Sequence, residues 1–243
     1  MFSIYKKELQ SFFYTPFAYI VTALFMFLFT YMFNIALGDL SKPMLQFTFP
    51  EIFYNVVFYF IFLIPILTMR TFPDERKFGT EVLLMTSPIN VWQMIIGKYL
   101  ANLTVFIFMI AGASVFPIYT AMHGTVIMSQ LVCAYIGFFA WGAMFIAIGM
   151  LVSSFTENSI IAAVLGEIVM FMFLFIDNFS QTDFIAQYPK LQSFLYAFAA
   201  QPRFAYFSQG FIRLSDLVFF LSAIIICLAW NYIAIERRRW KRG

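Results

Sequence analysis

This sequence predicts an all-α integral membrane protein with six transmembrane helices, and three observations predict it. Of its 243 residues, 63% are hydrophobic and only 11% are charged, whereas soluble domains carry about 25% charge. Six apolar segments approach the roughly 20 residues a helix needs to cross a bilayer: 17–37, 52–69, 99–119, 131–152, 159–176 and 217–235. Lys and Arg concentrate in alternate connections, as the positive-inside bias requires. A chain of mean hydropathy +0.85 could not cover its surface with polar groups in water; lipid removes that requirement.

Taken in order, residues 2–13 place Phe2, Tyr5, Leu9, Phe12 and Phe13 on one helical arc, with Lys6, Lys7, Glu8, Gln10 and Ser11 elsewhere. This pattern predicts an interfacial helix before the chain turns at Thr15-Pro16. The 22 uncharged residues from Phe17 to Gly38 exceed the about 7–15 of a signal h-region, so a retained span is expected despite the small-residue run Ala36-Leu37-Gly38. Pro65 and Pro117 predict kinks in the second and third spans.

Residues 70–98 are the longest basic connection. Pro73 suits a first helical position, Asp74 and Glu75 favour an N-terminal turn, and Gly79 can close that turn in a left-handed conformation. Thr80 can then cap a short helix over Glu81–Thr86, stopped by Pro88. Ile89, Trp92, Ile95, Ile96 and Tyr99 form an apolar face leading into the third span. The result is a compact two-helix elbow. Residues 177–216 are too aromatic for a solvated loop, and the stretch between Pro189 and Pro202 is too short to cross the bilayer. A re-entrant or interfacial helix pair is expected there. No repeat or linker appears, so 1–243 reads as one domain.

Six spans put Lys6, Lys7, Arg70, Arg76, Lys77, Lys98, Arg237, Arg238, Arg239, Lys241 and Arg242 on one side. Lys42, Lys190, Arg203 and Arg213 lie on the other. Both termini are therefore expected in the cytoplasm of a multi-pass protein of the plasma or inner membrane. With net charge +3 there is no nucleic-acid footprint. Cys133 and Cys227 lie in apolar runs and read as small hydrophobes. A single histidine, His123, cannot build a multi-His metal site, a bis-His haem or a catalytic constellation beside one intramembrane carboxylate. The chain is not expected to be an enzyme. The only Gly-Lys, Gly97-Lys98, lacks the upstream Gly and following Ser or Thr of a Walker A loop.

The run Asp74-Glu75-Arg76-Lys77-Phe78-Gly79-Thr80-Glu81-Val82-Leu83-Leu84, then Thr86-Ser87-Pro88-Ile89 and Gly97-Lys98-Tyr99, resembles the signature between the second and third spans of type-2 ATP-binding-cassette exporter permeases. Tyr5-Lys6-Lys7-Glu8-Leu9 followed by Phe12-Phe13 and Thr15-Pro16 is similar to the gliding-motility-associated branch of that family. The resemblance runs through the whole chain in span order. It implies a half-transporter that pairs with a second copy or a homologous permease and sits on two copies of a cytoplasmic ATPase. ATP and Mg would be held by that ATPase, with no cofactor on this chain. An extracytoplasmic accessory protein and membrane lipid complete the implied partners. The elbow would be the coupling helix, with Glu75, Arg76, Gly79, Thr80, Glu81 and Leu84 as the coupling residues. A competing reading has Arg76 and Lys77 anchoring anionic headgroups.

Glu167 departs from the family pattern, which has an apolar residue in the middle of the fifth span. A carboxylate there costs about 2.5–3.5 kcal/mol on insertion scales. It reads either as part of a translocation path or as a locally satisfied residue at a dimer seam near Gly166. The 35 Phe residues either line a path for lipid-like cargo or face lipid. The rival function is a proton-coupled secondary transporter or channel using Glu167. Against it, the paired repeats of such proteins are absent.

Overall fold

The computed structural model describes residues 1–39, 49–81, 90–123 and 126–242. Among these, every regular element is a helix: α1 Phe2–Tyr14, α2 Phe17–Asp39, α3 Phe49–Phe58, α4 Phe60–Thr68, α5 Pro73–Lys77, α6 Val91–Ala113, α7 Val115–His123, α8 Met128–Phe155, α9 Ser159–Ser180, α10 Asp183–Ala186, α11 Pro189–Ala197, α12 Gln201–Ser208 and α13 Leu214–Arg242. Five helical stretches are long and apolar enough to cross a membrane, and α3 with the helix after it makes a sixth if that pair, bent by 58°, is one span. The chain is thus a helical protein of multi-pass character.

The helix breaks can be compared with the two prolines expected to cause them. Pro117 has no N–H to give the carbonyl four residues back, and α6 ends there, at Ala113. In the second span the break falls at Tyr59, six residues before Pro65 rather than at the proline. The apolar face expected to lead into the third span does so within one helix, which runs from Val91 through Ala113 and is capped by the Asn90 side chain accepting from the Trp92 N–H.

The core is built around α8. Two thirds of its most apolar window is buried, 67%, against 22–28% for the other four long helices. Gly137 and Gly142 allow this, because the rings of Phe207 and Phe106 abut their backbone where a Cβ would stand. Trp141 is fully buried between them, edge-on to Phe204 at 5.4 Å between centroids.

The segment expected to fold back between the fifth and sixth spans is three short helices, α10 to α12. Pro189 and Pro202 open α11 and α12 within their first turns. Helix α12 is a wedge with Phe204 and Phe207 fully buried. Its polar residues are tied down too: Gln201 donates to the Tyr54 hydroxyl at 2.9 Å, and Arg203 pairs with Asp216 at 3.1 Å.

Helix α1 forms over the expected residues, and the face it buries against the bundle runs through Ile4, Glu8 and Phe12. Phe2 is left 74% exposed. The bundle-facing side is held by a polar contact to α6, described next.

Candidate functional site

The elbow begins where α4 ends at Thr68. Pro73 occupies a first-turn position of α5, Asp74 and Glu75 complete that turn, and Gly79 has φ +70°. These are the local features that the residue types predict. The Thr80 hydroxyl donates back to the Glu75 carbonyl at 3.3 Å and so closes α5 on itself; most of the short helix expected over 81–86 lies outside the described residues.

Two polar knots bind this elbow to the rest of the protein. In the first, the fully buried Lys98 ammonium lies 2.8 Å from Glu75 Oε1 and 2.9 Å from Glu8 Oε1, and donates to the Thr71 carbonyl at 2.8 Å. Three ammonium protons meet three acceptors, the condition under which a buried charge is tolerated. Lys7 adds a second cation, 2.9 Å from Glu75 and 3.5 Å from Glu8. The quartet is neutral. Partial burial disfavours the Lys7 charge, but Glu75 and then Glu8 more than offset it and hold the ammonium above the ordinary lysine value. Gly97 makes the approach possible: an added Cβ would stand 3.2 Å from Ile4 Cγ2 and 3.3 Å from the Met1 carbonyl. Gly97-Lys98 therefore brings α1 against α6 and then locks it to the elbow.

In the second knot, Arg76 Nε donates to Glu81 Oε1 at 3.2 Å, Nη2 to the Ser154 carbonyl at 2.7 Å, and Nη1 to the Thr156 carbonyl. Arg238 Nη2 reaches the intervening Phe155 carbonyl at 3.1 Å. Two guanidinium groups thus satisfy the carbonyls left open at the end of α8, where a cation also meets the negative helix terminus favourably. The Ser159 hydroxyl donates to Asp74 Oδ1 at 2.8 Å, joining α5 to the start of α9.

The structure therefore brings Glu75, Arg76 and Glu81 together, but aims their side chains into the bundle. Glu75 and Glu81 are 8% and 9% exposed, and the Arg76 side chain 4%. The outward tip is Lys77, Phe78 and Gly79, with Phe78 73% exposed. Leu84 lies outside the described residues. Lys98, Glu8 and Lys7 are the members that the sequence reading passed over. Their signal was present, since Gly97-Lys98 and Lys6-Lys7-Glu8 both belong to the quoted motifs.

Glu167 stands apart, half-buried on α9. It flanks the buried row Ala163, Gly166 and Met170, beside the exposed Ile160, Val164 and Phe171. Among the described residues it makes no hydrogen bond or ion pair, so its solvation cost is uncompensated within one chain. Glu167→Leu is expected to raise the thermal stability of the purified single chain. A lowered Tm would show that the carboxylate has a stabilising partner.

Among the described residues no group of three His, Cys, Asp or Glu side chains is placed to hold a metal. No protein-family model matches the chain, and no curated protein matches it.

Proposed function

We propose that this chain is the membrane-spanning subunit of an ATP-binding-cassette exporter, driven at the 73–81 elbow by a separate ATPase that holds ATP and Mg. The supporting observation is the attachment of the elbow. Buried ion pairs join it to α1 and α6, and Arg76 joins it to the turn between α8 and α9. Force applied at the exposed tip would move the feet of several apolar helices as a unit. A loop meant only to connect two spans needs no such bracing.

The basic segments assigned by charge to one side are linked: Lys7 joins the N-terminal helix to the elbow, and Arg76 of the elbow and Arg238 of the C-terminal helix bond adjacent carbonyls at the end of α8. That supports an even number of crossings with both termini on the ATPase side, the cytoplasm. The working unit is two permease chains, this one with itself or with a similar permease, on two ATPase copies. An extracytoplasmic accessory protein is a further candidate partner. The chain itself performs no catalysis in this reading.

Glu167 keeps a second reading in view, a proton-coupled transporter or channel, because an intramembrane carboxylate without a partner is what a proton site requires. One purification separates the two. Tagged protein extracted from its native membrane is expected to carry a Walker A ATPase in stoichiometric amount. A pure preparation free of any ATPase, with Glu167-dependent proton flux in vesicles, would replace the exporter by the second reading.

A further inference from the structure

A groove of about 1210 Å³ lies at the basic end between the end of α8 and the last turns of α13. Its walls include Phe155, Trp230, Tyr232 and Ile233, with Arg237 and Arg238 also lining it. Phe155, Trp230 and Ile233 are 58%, 60% and 52% exposed. Tyr232 is fixed in place by stacking on Trp92, with centroids 5.0 Å apart and planes within 12°.

We propose that this groove binds one anionic glycerophospholipid, its phosphate on Arg237 and Arg238 and an acyl chain along Trp230 and Ile233. Helical spacing puts Ile226, Trp230, Ile233 and Arg237 on one face, so that face runs from aliphatic through aromatic to basic along α13. Seven residues separate Trp230 from Arg237, about 10 Å at 1.5 Å per residue. That order matches a lipid, in which acyl chains, interface and phosphate succeed one another along the bilayer normal. The apolar row continues toward the membrane interior through Ile226, which is 57% exposed.

The charge also favours an anion. Arg238 uses one donor on the Phe155 carbonyl, and a guanidinium has five. Arg76 behind it, on the Ser154 carbonyl, is paired with Glu81, so the anion would be held by Arg237 and Arg238 alone. Glu236, the acid lining the groove, is engaged within the protein. A zwitterionic lipid would lack the net charge that this arrangement matches. The inference is independent of the exporter reading and requires only a membrane around the helices.

The test uses the full-length protein, delipidated in detergent and titrated with phosphatidylglycerol, phosphatidylcholine or glycerol phosphate, with bound mass read by native mass spectrometry. Phosphatidylglycerol is expected to bind in preference to phosphatidylcholine. Arg237→Gln, a change at an exposed residue, is expected to weaken that binding about fivefold, and Arg237→Gln with Arg238→Gln roughly 30-fold. Arg213→Gln, at the other end of α13, is expected to leave it unchanged. Equal binding of the two lipids, binding indifferent to the Arg237 and Arg238 changes, or glycerol phosphate competing at equal concentration would each overturn the proposal.

Discussion

Lys98→Met is expected to destabilise the protein more than any other single change to a polar side chain. The substitution keeps most of the volume and the apolar stem of the side chain. It deletes the cation between Glu8 and Glu75, whose side chains are only 13% and 10% exposed. Lys7 would remain as their one near cation, and its side chain is 52% exposed. Removing one partner of a buried ionic group costs about 3–5 kcal/mol, because the other charge stays buried without its counterion. The expected result is a Tm lowered by on the order of 10 °C and a poorer monodisperse yield in detergent. Glu75→Gln placed on the same background removes one stranded charge and is expected to recover part of the loss. A Tm equal to wild type in Lys98→Met would show that the quartet does not hold the elbow.

Much of the elbow was legible in sequence because its signals are local. Proline at the start of α5, acids in the first turn and a glycine at φ +70° each act within a few residues. The knots were not legible, because their partners are distant: 90 residues separate Lys98 from Glu8, and 78 separate Arg76 from Ser154. The side of α1 that meets the bundle, Ile4, Glu8 and Phe12, was likewise not marked by apolar spacing, because its polar member pairs with Lys98 on α6.

The bundle shows a similar division. Hydropathy found the apolar segments, since each of the five spanning stretches has a window of 1.9 or higher. It could not identify α8 as the centre, because its value of 2.1 equals that of the first span. What distinguishes α8 is steric: glycines at 137 and 142 admit aromatic rings from α12 and α6. Hydropathy averages do not register where a ring comes to rest.

The second large effect is expected at the tip of the elbow, and it concerns coupling instead of folding. Phe78 is 73% exposed and Gly79 is exposed beside it, while the residues behind them are fixed by the two knots. An exposed aromatic on a braced support is the type of residue that dominates a protein interface. Phe78→Asp removes little packing, so the Tm of the isolated chain is expected to stay at the wild-type value. Its affinity for the ATPase is expected to fall roughly 30-fold or more. Gly79→Val is expected to act through shape. No atom lies within 4 Å of its Cβ position, but a β-branched residue is strained at φ +70°. The measurement is cargo-stimulated ATP turnover of the reconstituted permease–ATPase complex, for wild type, Phe78→Asp and Gly79→Val at matched folded yield. The account predicts stimulated turnover in wild type and its loss in both variants, with the isolated Phe78→Asp chain unchanged in stability and the isolated Gly79→Val chain lowered only by its local backbone strain; equal, fully coupled turnover in all three would contradict the elbow as the point of drive.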